Sequence, residues 1–246
     1  MKTAIVTGAG RGIGTAVSRM LAGSGWEIIE VDRDFHGLRN EAQYTADIAQ
    51  PPTPVSFRGL GEFVTIAGGK IDLLINNAAV CRMDSIADAT DTDILDTINS
   101  NLTGLIRFTK ACLPYLADGA RIVNVSSGAA LYGLPDNSVY AATKRAVEAL
   151  TEAWDIELRP RGIRCCFIRF PNVDTDMIAP YKDHPIVSGF DRHLTAEQAA
   201  KALFKAATGP FKLRHNASWW LKIIAVVTHH FPSVARWLVR RNSYYR

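Results

Sequence analysis

Thr7-Gly8-Ala9-Gly10-Arg11-Gly12-Ile13-Gly14 is the stretch that decides the fold. It follows Lys2-Thr3-Ala4-Ile5-Val6-Thr7, which reads as a strand, and it opens a segment, 12–24, that reads as a helix. Glycines let the backbone approach a pyrophosphate, and a helix N-terminus turns unpaired N–H groups toward its negative charge. A glycine-rich turn alone says little. With a strand before it, a helix after it and a second strand beyond, it reads as a nucleotide cradle. Gly8, Arg11, Gly12, Ile13 and Gly14 are its candidate contacts.

Working outward, short apolar runs alternate with helical stretches. Strands are predicted at 2–7, 26–32, 71–75, 120–126 and 163–169, and helices at 12–24, 55–68, 91–117, 137–160 and 195–207. This alternation predicts an α/β fold, a doubly wound parallel sheet of Rossmann-like type with helices on both faces. Gln50-Pro51-Pro52-Thr53-Pro54 reads as a loop. No repeat or long polar linker divides the chain. Residues 1–211 therefore read as one catalytic domain, and 212–246 as a helical extension of it.

Asp32 ends the second predicted strand, 18 residues after Gly14. A carboxylate there accepts hydrogen bonds from adenosine ribose hydroxyls and repels a 2′-phosphate, which favours NAD(H). Arg11 and Arg33 argue the other way, because either can pair with that phosphate. Asp32 carries more weight, so NAD(H) is favoured over NADP(H).

Tyr140 and Lys144 fall one turn apart on one face of the predicted helix 137–160, and Ser127 lies thirteen residues before the tyrosine. An ammonium there can pull a phenol down from its usual pKa of about 10, and a tyrosine tuned this way exchanges protons near neutrality. A hydroxyl such as Ser127 can hold a carbonyl or alcohol oxygen beside it. An isolated Tyr-x-x-x-Lys is more often a solvated helix face, so this pair depends on its context.

The chain has 246 residues, 48% hydrophobic and 21% charged, as in a soluble globular protein. Cys81, Cys112, Cys165 and Cys166 show no metal spacing and read as reduced, mostly buried thiols. With no signal-peptide pattern at the start, a cytoplasmic location is expected. The net charge of +4 hides an asymmetry. Residues 212–246 hold seven basic residues and no acidic one, which leaves the first 211 with 21 basic and 24 acidic, net −3. The tail thus reads as a surface with its own partner.

Taken in order, these motifs resemble the short-chain dehydrogenase/reductase family from Lys2 to about Leu203. Thr7 to Gly14 is similar to the family's Thr-Gly-x-x-x-Gly-x-Gly. Asp47-Ile48 resembles its acidic-aliphatic pair beside the adenine, and Asn76-Asn77-Ala78-Ala79 its Asn-Asn-Ala-Gly. The resemblance places Asn101, Ser127, Tyr140 and Lys144 on the catalytic positions. It places Asn76, Ala78, Val173 and Thr175, with Tyr140 and Lys144, among the cofactor contacts. It implies hydride transfer between nicotinamide and a carbinol carbon. Tyr140 is then the acid/base, Lys144 lowers its pKa and holds the nicotinamide ribose, Ser127 positions the substrate oxygen, and Asn101 holds a relay water. It implies a homodimer or homotetramer as well. The alternative is a dinucleotide-binding sensor or scaffold without turnover.

Four departures stand out. Only 14 residues separate Asp32 from Asp47, so the usual helix there is expected to be short or missing. Ala79 replaces a glycine. Phe170-Pro171 stands where Pro-Gly is expected, beside the nicotinamide. The usual final strand is expected to be absent.

Ala217 to Thr228 is apolar nearly all round but too short to span a bilayer, which takes about 20 residues. After Pro232, Val234, Trp237, Leu238 and Arg241 recur at i, i+3, i+4 and i+7. Two readings stand. The region 217–241 packs over the substrate pocket or a subunit interface, or it lies on an anionic membrane surface. Packing is favoured. Nucleic acid is not an expected partner, since the basic residues are sparse among apolar ones. The loops 80–91, 129–139 and 176–194 carry Cys81, Met83, Leu131, Tyr132, Met177, Ile178, Tyr181 and Phe190, an apolar to mixed lining that suits a hydrophobic secondary alcohol or ketone.

Overall fold

The computed structural model describes residues 1–35, 43–50, 57, 59–188, 193–241 and 243. Seven strands form one parallel sheet in the order β3-β2-β1-β4-β5-β6-β9. They are β1 (Lys2–Thr7), β2 (Trp26–Asp32), β3 (Gln43–Thr45), β4 (Ile71–Asn76), β5 (Leu116–Ser127), β6 (Arg164–Phe170) and β9 (Arg214–Asn216). β7 (Val173–Asp174) and β8 (Leu194–Thr195) make a small separate parallel pair. The inner strands are buried on both faces, which explains their unbroken apolar runs. Ala4, Ile5, Val6, Leu73, Leu74 and Ile75 have no exposed surface.

Helices cover both faces. On one, Val17 and Leu21 of α1 (Gly12–Ala22) and Ala199 and Leu203 of α7 (Ala196–Thr208) meet Ala4, Val6, Val123 and Ile168. On the other, α2 (Leu60–Ile66), α4 (Gly104–Cys112) and α5 (Ser138–Glu157) bring Leu60, Val64, Phe108 and Trp154 to Ile5, Leu74 and Ile122. β1 lies between β2 and β4, so the strand order reverses there, and ligands of open α/β sheets bind beyond the strand ends at such a point.

Several elements differ from expectation. The predicted helix 91–117 is α3 (Asp91–Ile98), a π-helical turn Asn99–Thr103, then α4, and β5 has begun by Leu116. Pro114 sits in the 3-10 turn Leu113–Tyr115 that ends the helical run. The final strand expected to be missing is present: the three residues of β9 pair in parallel with β6, Phe167 opposite Arg214. Part of the predicted helix 55–68 and most of the loop 50–54 lie outside the described residues, as do 36–42, where a further helix was in question.

α5 meets the sheet through polar groups. Lys144, Glu148, Thr151 and Asp155 form its buried stripe. Lys144 Nζ donates to Val125 O at 3.0 Å, and Asn124 Nδ2 donates to Thr151 Oγ1 at 2.8 Å. Asp155 accepts from Arg164 Nε at 2.9 Å and from the Cys165 N–H at 3.1 Å. Glu148 takes a two-pronged grip from Arg169, at 2.7 and 2.6 Å, and accepts from Ser126 Oγ at 2.8 Å. Removing one partner of a buried pair strands the other charge. Glu148→Gln should therefore lower unfolding free energy by about 3 kcal/mol, whereas Glu148→Leu with Arg169→Met should recover most of it; urea titrations of the three proteins measure both.

Candidate active site

Thr7 ties the two strand ends at the switch point. Its Oγ1 accepts from the N–H groups of Asn77 and Ala78 at 3.0 and 3.1 Å. Asn77 Nδ2 donates back to Thr7 O and Gly8 O at 3.0 and 3.1 Å. The turn between β1 and α1 needs its glycines. Gly8 and Gly12 have φ of +67° and +58°, a left-handed backbone that favours glycine. A Cβ on Gly14 would overlap the Gly8 carbonyl, so this glycine lets α1 close against the turn. No side chain caps α1 and no acid lies in its first turn, so its N–H groups are open to an anion. At the end of β2, Asp32 accepts from the Gly10 N–H at 2.9 Å and the Asp34 N–H at 3.1 Å.

A cavity of about 590 Å³ starts at this turn and runs to Ser127, Tyr140 and Lys144. Gly8, Arg11, Gly12, Ile13, Asp32, Arg33, Asp47, Ile48, Ala78, Val173 and Thr175 line it. Of the expected site residues, Gly14, Asn76 and Asn101 do not. Asn76 is buried, its Nδ2 spent on Thr109 Oγ1 and Asn124 Oδ1 at 2.9 and 2.8 Å. The neighbouring Asn77 lines the cavity instead. Asn101 is fully buried in the π-helical turn. Its Oδ1 accepts from the Val80 N–H at 2.8 Å, and its Nδ2 donates to Val80 O at 2.8 Å and Thr143 Oγ1 at 3.3 Å. Both amide hydrogens are thus in use, so the side chain braces the loop after β4 against α5 and has no donor left for a relay water.

Ser127 and Tyr140 both line the cavity, and the Ser127 hydroxyl is near enough to favour the Tyr140 phenolate. Lys144 Nζ lies 5.6 Å from the centre of the Tyr140 ring. Burial dominates both titrations. It pushes Tyr140 up, outweighing the opposing effect of the Ser127 hydroxyl, and pushes Lys144 down to about 8. The expected downward pull of Lys144 on Tyr140 is thus not what the protein alone displays, because desolvation favours the neutral form of each. Cys81, also on the cavity wall, is pushed up to about 11 by burial.

Beyond Tyr140 the wall is apolar. Met83, Met177 and Ile178 line it with Cys81 and Tyr132, as expected, whereas Leu131 and Tyr181 do not and Phe190 lies outside the described residues. Phe170 and Pro171 line it at the end of β6, with Phe170 4% exposed in the core beside Val173. The tail forms two helices, α8 (Trp219–His230) and α9 (Pro232–Arg241). Trp220, Leu221, Ile224 and Val227 from α8 and Ala235, Leu238 and Val239 from α9 roof the cavity. Leu221, 1% exposed, rests on Gly128 next to Ser127, so near that a Cβ there would lie 2.9 Å from Leu221 Cδ2. The tail therefore packs over the pocket.

The family model described as short chain dehydrogenase matches residues 2–185. The chain belongs to the short chain dehydrogenase family. It is 33% identical over 173 residues to the oxidoreductase UcpA of Escherichia coli K12, a match covering 66% of each chain. It is 29% identical over 167 residues to the 3-ketodihydrosphingosine reductase of Bacteroides thetaiotaomicron, covering 67% of this chain and 61% of that one. The matches thus span about two thirds of these relatives' length. A short chain dehydrogenase of Burkholderia cenocepacia solved in complex with NADP superposes with a TM-score of 0.72 at 27% identity, over 88% of this chain and 97% of that one. The family is one of dehydrogenases, and the Burkholderia neighbour holds NADP. The open glycine turn, the uncapped α1 and the carboxylate of Asp32 fit such a dinucleotide.

A lysine whose folded pKa falls from 10.5 to about 8 binds fewer protons folded than unfolded between those values, so its cost is full below pH 8 and shrinks as pH rises toward 10.5. Lys144→Met should therefore abolish turnover yet raise unfolding free energy at pH 7 by about 2 kcal/mol. The gain should fade by pH 10, which denaturant titrations at the two pH values measure.

Proposed function

We propose that this short chain dehydrogenase interconverts a hydrophobic secondary alcohol and its ketone. The observation that carries the reading is the continuity of the cavity, which joins the glycine turn to Ser127, Tyr140 and Lys144 and ends under apolar side chains of the tail. A bound nicotinamide supplies or accepts the hydride. Ser127 holds the substrate oxygen beside the Tyr140 hydroxyl, which donates its proton to the developing alkoxide in reduction and takes it back in oxidation. Burial keeps Tyr140 protonated, which suits it as the acid in reduction. Lys144 is held to the sheet by Val125 O and stands beside the phenol, placed to replace the proton and to bond a nicotinamide ribose. Among the described residues the lining has no arginine cluster near Tyr140 to hold a polyanion, and one relative is named a 3-ketodihydrosphingosine reductase.

NAD(H) is the preferred cofactor on this reading, because the Asp32 carboxylate lines the ribose end. Free, buried cysteines suit a cytoplasmic protein. Exposed Leu95 on α3 and Ile156 on α5 support assembly into a homodimer or homotetramer.

Nicotinamide absorbance with a panel of ketones, from small and polar to long-chain and polycyclic, tests the activity. The hydrophobic members should turn over. Tyr140→Phe should lower kcat by about a thousandfold while NADH still binds, as the loss of a general acid predicts. NADH binding with no turnover of any ketone would instead favour a sensor.

Asp32→Ser should shift the NADH-to-NADPH ratio of kcat/KM toward NADPH by more than about tenfold, the scale of one charge-assisted hydrogen bond plus a relieved repulsion. An unchanged ratio would leave Arg11 and Arg33 as the deciding groups.

A further inference from the structure

The two faces of the tail helices do different things. On α8 the inward face roofs the cavity, while Trp219, Lys222, Ile223, Val226, His229 and His230 form one exposed face. Trp219, Ile223 and Val226 are 62%, 53% and 55% exposed. Phe231, Val234, Trp237 and Leu238 continue this surface through α9 at 59%, 48%, 56% and 42%. Seven of the twelve exposed large apolar side chains among the described residues thus fall within residues 219–238, far too concentrated for scattered surface apolar groups. Lys222, Arg236, Arg240 and Arg241 are exposed among them, and no acidic residue lies anywhere in 212–246.

We infer that the exposed face of α8 and α9 docks on an anionic lipid surface, and that the substrate enters the cavity from that side. No helix of the described residues is long and apolar enough to cross a membrane, so the hairpin lies on the surface. Apolar side chains enter the acyl boundary while the cations meet lipid phosphates. Charge selects this occupant over a second copy of the chain. A two-fold contact brings the same face against itself, and would crowd Lys222, Arg236, Arg240 and Arg241 of both copies into one interface to which residues 212–246 bring no acid. Ile223 and Leu238 belong to both surfaces, since they line the cavity and are half-exposed. They mark its mouth within the docking face. An apolar substrate dissolved in lipid then reaches Tyr140 without crossing bulk water. That entry route rests on the hydrophobic-substrate reading; the docking does not.

Flotation of the full-length protein with phosphatidylcholine vesicles, with and without phosphatidylglycerol, tests the docking. The protein should float with the anionic vesicles, and high salt should weaken this. Val226→Glu with Trp237→Glu should abolish flotation, and Arg236→Gln with Arg240→Gln should lower partitioning about 25-fold, or roughly fivefold per charge. NADH binding and the thermal midpoint should not change, since none of these four side chains lines the cavity. Equal flotation with neutral vesicles, flotation retained by the double glutamate variant, or none at low salt would overturn the proposal. So would loss of a stable oligomer in that variant without vesicle binding, which makes the face a subunit contact. Turnover of a detergent-dispersed hydrophobic ketone without vesicles separates the two readings. Flotation lost with turnover intact removes the docking alone, and turnover absent with flotation intact removes the substrate reading and keeps the docking.

Discussion

The contact on which the site depends is the polar seam between α5 and the sheet. A helix usually sits on a sheet by its apolar stripe. Here Lys144, Glu148, Thr151 and Asp155 are buried beside Ala141 and Val147, and each of the four has a partner on β5 or β6. Hydrogen bonds fix rotation and register in a way that apolar contact does not, because a slip of one residue would leave charges unpaired. Ser126 bonds the carboxylate of Glu148, and the next residue, Ser127, faces the cavity with Tyr140. The placing of Tyr140 beside Ser127 is thus held by a buried ion pair two turns further along α5. The arrangement costs stability, since every charge in it is desolvated. What it supplies is a tyrosine and a lysine that cannot drift relative to the strand they serve.

Much of this was legible beforehand. The glycine turn, the strand at 26–32 ending in Asp32, and the Ser127, Tyr140 and Lys144 set all fall where spacing puts them, because each is a local pattern with a local cause. The family and the parallel sheet follow from the same patterns. The seam itself was not legible, because a stripe of Lys, Glu, Thr and Asp looks like a solvated face until the opposing strand is known. Helix 91–117 was over-read for a related reason. A π-helical turn keeps helical composition and shows only as an extra residue in the ladder, and Asn101 sits inside it. An asparagine at a strand end looks alike in sequence whether it faces ligand or core, and only the structure shows the Asn76 Nδ2 turned to Asn124 and Thr109. The three residues of β9 include Arg214 and His215, which carry no strand signal, and only pairing with β6 makes them a strand.

The two ends of the cavity solve opposite electrostatic problems. At the cofactor end the protein offers unpaired N–H groups and two arginines to an anion, with Asp32 partly offsetting them. At the chemical end it withdraws water, so that Tyr140 and Lys144 both move toward neutrality. A neutral phenol is an acid ready for use, and an amine near pH 8 can pass a proton either way at little cost. The same desolvation that weakens the fold therefore moves the two pKa values in opposite directions, Tyr140 up and Lys144 down, and leaves each group nearer its neutral form.

The tail completes the desolvation of the site. Without Leu221, Ile224 and Val227 over the 128–131 turn, the space beside Ser127 would open to solvent, and water would restore ordinary titration to both groups. α8 carries large apolar side chains on its outward face as well as its inward one, which no helix on a water-facing surface requires. Its inward half is explained by the cavity. Its outward half, carried with the cations of α9 and no acid, has no such explanation inside this chain. A roof that must be apolar on both sides is what a pocket needs when its ligand arrives through lipid, and the roof helix is then the boundary between two apolar phases rather than between protein and water.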